Sequence, residues 1–227
     1  LIGREGQHDQ LAALQARARA GQGGAVLVCG ESGAGKTTFV EQFIAGVADH
    51  VRVLWGACDP LATPRPLGPL HDVACELGEA TRRQLADGRA PYDIFASVFE
   101  DVRGAHTILV IDDLQWADQA TLDLCRFLLR RASHSPLLVI GILRDDEVDA
   151  SHPLRGLLGD VARSPHGHAL GVPPLDVDAI AALVGDRDVD PARLHRITGG
   201  NAFFVCEMLD QDCSEGAELP ITVRDAI

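Results

Sequence analysis

The chain has 227 residues and a formal net charge of −13, from 33 acidic against 20 basic side chains, enough for one large domain or one domain with a small appendage. Hydrophobic residues at 46% and charged ones at 23% exclude a disordered chain, and no apolar run approaches the ~18 residues of a membrane span. The acidic balance argues against direct nucleic-acid contact by this segment, because gripping a phosphate backbone takes a basic stripe.

In chain order, Gln7 to Ala20 is predicted as an amphipathic helix, broken by the glycines from Gly21 to Gly24. Ala25 to Cys29 is a short apolar strand. Thr37 to Ala48 is a helix with Phe39, Val40, Phe43, Ile44 and Val47 inward. A second strand, Val51 to Trp55, precedes a Pro-rich loop from Pro60 to Pro69. Helices follow at Leu70 to Leu77 and Tyr92 to Val102, then a buried strand at Thr107 to Ile111. Gln119 to Ala132 is helical, with Asp118 and Thr121 as its start signal. Leu137 to Leu143 is a fourth strand, Pro153 to Val161 a short helix and His168 to Val172 a fifth strand. Unbroken apolar strands alternating with helices read as a parallel sheet covered on both faces. After Pro173-Pro174 the pattern becomes helical: Val177 to Val184, Pro191 to Ile197 and Ala202 to Leu209.

The chain begins at Leu1, has its only methionine at Met208 and ends at Ile227, within a helix expected to open after Pro220. It is therefore expected to be a segment of a longer protein. The six cysteines (Cys29, Cys58, Cys75, Cys125, Cys206, Cys213) form no CxxC pair and read as small buried hydrophobes of a reduced, cytoplasmic protein.

The strongest motif is Gly30-Glu31-Ser32-Gly33-Ala34-Gly35-Lys36-Thr37, which fits G-x-x-x-x-G-K-[ST] between a strand and a helix. Its glycines let the backbone N–H groups turn inward as an anion nest, and the following helix adds its positive end. Lys36 is the single lysine among the 20 basic residues. A compact ammonium at the β- and γ-phosphates is a role that arginine does not imitate. The Thr37 hydroxyl is placed to ligate Mg²⁺.

Thr107 to Asp113 is a buried strand ending in two carboxylates. Asp112 is expected to hold Mg²⁺ and Asp113 to orient or deprotonate the attacking water. Two adjacent carboxylates repel without a cation, which suits a metal site, although Asp-Asp is also an ordinary way to leave a strand. Arg144 closes the fourth strand, where a cation can report a γ-phosphate; a solvated arginine beside Asp145 and Asp146 is the plain alternative.

These residues, with Ile2-Gly3-Arg4-Glu5, the Trp55-to-Asp59 and Thr63-to-Pro69 loop, Val110 to Asp118, and Thr198-Gly199-Gly200-Asn201-Ala202-Phe203-Phe204 with Glu207, span nearly the whole chain. Together they resemble the ATPase domain of STAND-class P-loop proteins in the AAA ATPase-like family. The match is particularly with the domain of large LuxR-type transcriptional regulators. The resemblance implies adenine contacts from Ile2, Gly3 and Arg4, and a γ-phosphate sensor at Arg144. It also implies a slow switch, closed with ADP and opened by ATP and an inducer. Two departures stand out. Ala202 replaces the proline that the family sets against the base, and Gln7 replaces a glutamate. The first is expected to weaken adenine binding.

Weaker signals are read more plainly. Arg130-Arg131 could reach a neighbour's phosphate but suits a helix C-terminus. His166 and His168 lack a third metal ligand. Trp55 and Trp116 read as packing residues and Arg65 as an exposed loop arginine.

The expectation is an α/β P-loop NTPase fold of the ASCE type with five parallel strands, ordered 5-1-4-3-2 by the resemblance. The ATPase domain would cover 1–173 and a helical, lid-like subdomain 174–227. Catalysis would fall to Lys36, Asp113 and Arg144, the metal to Thr37 and Asp112. The nucleotide would lie on Gly30, Glu31, Ser32, Gly33, Ala34, Gly35, Lys36, Thr37 and Thr38, with Ile2, Gly3 and Arg4 at the base. Cofactors would be ATP or ADP with Mg²⁺. Expected partners are a second copy or other domains of the same longer chain, with neither nucleic acid nor membrane. The alternative is a nucleotide-binding scaffold that does not hydrolyse. A DNA-maintenance or transport ATPase sits poorly with the negative charge, and a P-loop kinase would need an acceptor-binding lid.

Overall fold

A computed structural model describes residues 2–210. Cys213 and the helix expected after Pro220 lie outside the described residues. The first helix, α1 (Glu5–Arg19), leads into strand β1 (Gly24–Gly30), and α2 (Lys36–Val47) follows the glycine loop. Strand β2 (Arg52–Ala57) is followed by α3 (Gly68–Asp72), α4 (Glu79–Ala86) and α5 (Pro91–Arg103). Then come β3 (Thr107–Asp112), α6 (Gln119–Leu129), β4 (Leu137–Arg144), α7 (Leu154–Arg163) and β5 (Gly167–Gly171). Three helices finish the described chain: α8 (Val177–Val184), α9 (Pro191–Thr198) and α10 (Ala202–Asp210).

All four strand pairings are parallel, and the order is β2-β3-β4-β1-β5, the sheet expected of an α/β P-loop NTPase. Every residue of β3 is buried, as are all of β4 but its last, so neither strand shows a solvent face. One face carries Leu27, Leu109, Ile111, Leu137 and Val139 with the apolar sides of α5, α6 and α7. The other carries Val26, Val28, Ile108 and Ile140 with Leu11 of α1 and Phe39, Val40 and Phe43 of α2. Each such side chain contributes about 1.5–3 kcal/mol when fully buried.

Three predictions change. The helix read at Leu70 to Leu77 is only the short α3 followed by a 3-10 turn at Ala74–Glu76. Helix α4 was not foreseen, because its EATRRQLA sequence buries only Thr81 and Leu85. The cysteines divide: Cys58 and Cys125 are buried and Cys29 half-buried, but Cys75 and Cys206 are exposed. Burial pushes the Cys29 thiol up to about 11, so it carries no thiolate at neutral pH.

Helices α8–α10 form a separate apolar cluster around Ile180, Leu194 and Val205. They are joined to the rest at the glycine loop. The parallel register leaves Gly30 opposite Arg144 and Ala57 opposite Asp112, so four strand ends lie along one edge.

Candidate functional site

The glycine loop turns at Gly33 (φ 75°) and Gly35 (φ 84°), in the left-handed region that glycine adopts without strain. A side chain at Gly33 would also meet the Asn201 Oδ1 atom at 2.6 Å. Helix α2 begins at Lys36, whose side chain is buried and folds back: Nζ donates to the carbonyls of Gly30 at 2.8 Å and Glu31 at 2.7 Å. Burial and the nearby Arg144 push the Lys36 pKa down, while Asp146, Asp145 and Asp113 pull it up.

Thr37 Oγ1 donates to the Asp112 carboxylate, 3.1 Å from Oδ2 and 3.4 Å from Oδ1. Asp112 is 7% exposed and also accepts from the Asp113 amide at 2.8 Å. Its pKa is raised, chiefly by burial, with the Asp113 carboxylate adding to it. A buried carboxylate touching a hydroxyl is an oxygen donor pair suited to a small hard cation, and the residues fit Mg²⁺. Among the described residues no cluster of three His, Cys, Asp or Glu side chains forms an all-protein metal cage. Mg²⁺ takes few protein ligands beside phosphate, so this does not count against the pair.

Asp113 has left-handed backbone (φ 52°), which aspartate tolerates better than most residues. Its Oδ1 atom accepts from Gln115 Nε2 at 2.8 Å and lies 3.6 Å from Arg144 Nε. Arg144 also pairs with Glu147 at 2.8 Å and lies 5.0 Å over the Trp116 ring. Trp116 thus faces a guanidinium, while Trp55 packs on the sheet.

A cleft of about 620 Å³ opens above the strand ends. Of the residues singled out in the sequence, Ile2, Arg4, Gly33, Ala34, Gly35, Lys36, Thr37, Thr38, Asp113 and Arg144 line it. Arg4 is buried there and donates to the Ala34 carbonyl at 3.2 Å; burial lowers its pKa. Asp112 lies behind Thr37. Gly3 instead packs on helix α8, where an added Cβ would stand 2.6 Å from that of Ala179. Glu31 and Ser32 face a neighbouring cleft of about 450 Å³ with Asp146 and Asn201. Arg65 is exposed, Arg131 stacks on Phe127 at 3.6 Å, and neither lines the main cleft.

Several residues stood in the sequence motifs without a role that sequence reasoning assigned, and others lay outside them. Asn201 Nδ2 donates to the Ser32 carbonyl at 2.8 Å, and the Phe203 amide donates to Gly33 O at 3.0 Å, so the start of α10 sits on the glycine loop. The Ser32 amide reaches Asp146 Oδ2 at 3.4 Å. Gln115 is 4% exposed, and a glutamine between Leu114 and Trp116 straight after a strand was a signal that could have been read. Leu175, Leu183, Phe203 and Cys206 supply the apolar wall beside Ala202.

A family model described as AAA ATPase domain matches residues 1–140. No curated protein matches the sequence. Among solved structures, Cdc6p from Pyrobaculum aerophilum is similar with a TM-score of 0.67 and 17% identity, over 92% of this chain and 61% of that one. A signal transduction ATPase with numerous domains (STAND) and a tetratricopeptide repeat sensor, from Pyrococcus horikoshii, gives 0.57 and 17%, over 95% and 32%. The RuvB Holliday junction branch migration motor of Thermotoga maritima gives 0.51 and 17%, over 92% and 61%. At such identities the likeness is one of fold, and this chain spans less than two thirds of each of those chains.

Proposed function

The chain belongs to the AAA ATPase domain family, and on that premise we propose that it binds ATP and ADP with Mg²⁺ and hydrolyses ATP slowly. It would act as the nucleotide switch of a cytoplasmic signalling or transcriptional regulator. The observation that carries this is the Thr37–Asp112 contact beside Lys36, which joins the two halves of a phosphate and metal site across 75 positions of sequence.

In this reading the triphosphate takes the place of the Gly30 and Glu31 carbonyls as acceptor for Lys36. The loop amides and the start of α2 face the phosphate oxygens. Thr37 and Asp112 would hold Mg²⁺, which supplies charge neutralisation on the β- and γ-oxygens. Asp113, on the wall of the cleft, orients a water and takes its proton as the water oxygen bonds to the γ-phosphorus. The bond to the β,γ-bridging oxygen breaks, and ADP and phosphate leave. Arg144 would contact the γ-phosphate and so separate ATP from ADP. The base would rest between Ile2, Arg4 and the apolar wall, with Gly3 holding the opening segment on α8.

We propose a division into an ATPase domain over 1–173 and a helical lid over 174–227, with self-association or other domains of a longer chain reading the lid's position. The STAND likeness supports the signalling role, the motif resemblance supports the LuxR-type setting, and the charge of −13 supports a segment that does not itself touch nucleic acid. No helix of the described residues is long and apolar enough to cross a membrane. The competing reading is a nucleotide-binding scaffold that does not hydrolyse.

Single-turnover hydrolysis of labelled Mg-ATP, with Lys36→Ala as control, tests the reading. The expected outcome is slow phosphate release that is abolished in the control. Removing a charge-assisted contact of about 1.5–3 kcal/mol should also weaken ADP binding roughly 10- to 100-fold. Binding without release would establish the scaffold instead.

A further inference from the structure

We propose that Gln115 is a positioning residue that sets the Asp113 carboxylate and the Arg144 strand end in one geometry, tying water activation to γ-phosphate recognition. The inference rests on the ATPase reading of the same cleft and extends it to a residue that touches neither substrate nor metal.

The β3–β4 pairing ends at Ile111 and Gly141; Asp112 is still paired with Ala57 of β2, and the chain leaves the sheet at Asp113. Strand β4 runs on to Arg144, and beyond that point β3 offers it no backbone partner. The side chain of Gln115 fills the gap: its Oε1 accepts the Arg144 amide at 3.1 Å. Its Nε2 then donates to Asp113 Oδ1 at 2.8 Å, and Arg144 Nε returns to that same Oδ1 at 3.6 Å.

The three residues close a ring that only one orientation of the amide satisfies. A backbone N–H can only donate and an ionised carboxylate can only accept, so Gln115 must turn its oxygen to Arg144 and its nitrogen to Asp113. The side chain is 4% exposed, which keeps water from replacing either bond at little cost. Asp113 holds left-handed backbone where the chain leaves the sheet, and the Gln115 amide ties its carboxylate to the end of β4. Gln115 therefore does for the base what a second shell does for a metal ligand: it fixes aim rather than supplying chemistry. Because the same amide grips β4, a shift of Arg144 toward a γ-phosphate is passed to Asp113.

The test compares the chain with Gln115→Met, Asp113→Asn and the double variant. Methionine keeps length and volume without charge or hydrogen bonds. Gln115→Asn is the second variant, polar but one methylene too short to span both partners. Two quantities are read: the single-turnover rate of ATP hydrolysis, and the Kd values of ADP and of the β,γ-imido triphosphate by calorimetry. The proposal expects Gln115→Met to lower the rate roughly tenfold or more while ADP affinity stays within about twofold. The preference for triphosphate over ADP falls with it, and the rate loss disappears in the Asp113→Asn background. Unchanged rate and unchanged preference overturn the proposal, as does a parallel loss of ADP affinity or a rate loss that persists without Asp113. If the parent chain shows no turnover, the hydrolysis reading fails on its own, and the triphosphate preference alone decides the role of Gln115.

Discussion

Asp118 shows how much one carboxylate can do without touching the chemistry. Its Oδ1 accepts from the amides of Ala120 at 2.8 Å and Thr121 at 3.2 Å, capping α6. Its Oδ2 accepts from the Thr121 hydroxyl and, at 3.1 Å, from the Leu67 amide in the Pro-rich loop. Leu67 itself has left-handed backbone (φ 58°), so this bond holds a strained turn of the loop against the helix. Asp118→Ala is expected to lower stability by about 2 kcal/mol, a cap and one long-range bond together, while ADP affinity stays within twofold. Chemical denaturation and calorimetry check it; unchanged stability would mean the loop is held elsewhere. The cap was legible because Asp-x-x-Thr is a local pattern. Its second partner lies 51 positions back, and nothing in either segment announces the pairing. Lys36, Thr37 and the strand-end aspartates stood out for the opposite reason: each belongs to a short local pattern, and the fold then brings Thr37 and Asp112 into contact.

Among the elements, legibility followed burial. Strands β3 and β4 are unbroken apolar runs and were read within a residue of their ends. Helix α4 is polar on nearly all sides and was missed; α3 is cut short after five residues, before the turn at Ala74–Glu76. Glycine 141 is a detail of β4 that apolar periodicity could not show. A Cβ there would stand 2.3 Å from Leu114 Cδ1 and 2.7 Å from Leu27 Cδ2, both on fully packed leucines. Leu114 adjoins Asp113, so the missing methyl is what lets the turn after β3 settle on β4. Gly141→Ala is expected to cost about 1–3 kcal/mol by overpacking, and to slow hydrolysis more than it weakens ADP binding, because the displaced leucine carries Asp113 with it. A thermal melt beside single-turnover kinetics separates the two effects. Full stability in the variant would show that the leucines repack freely.

Across the whole molecule, the contact that matters most joins residues far apart in sequence. Asn201 reaches Ser32 across 169 positions, beside the Phe203 amide on the Gly33 carbonyl and the Leu175 amide on Gly200. The first two bonds rest the start of α10 on the loop proposed to receive the phosphates, and the third ties that start to the segment leading into α8. The sequence showed Gly200-Asn201-Ala202 only as a family motif with an altered third residue, and the structural weight falls on the second. Asn201 also caps α10, its Oδ1 accepting from Phe203 at 3.1 Å and Phe204 at 3.4 Å. Two substitutions separate these duties. Asn201→Ser keeps a capping oxygen but is too short to reach Ser32; Asn201→Ala loses both. Amide hydrogen exchange should therefore quicken across α8–α10 in the serine variant by roughly fivefold, the worth of one bond of about 1 kcal/mol, with the sheet unaffected. In the alanine variant the first turn of α10 should exchange faster still. ADP should slow exchange in α8–α10 of the parent chain more than in Asn201→Ser, since the loop it orders would no longer hold the helices. Equal protection by ADP in both proteins would show that the nucleotide reaches the helices by another route, and would place the coupling in the cleft wall of Leu183, Phe203 and Cys206 instead of in the loop.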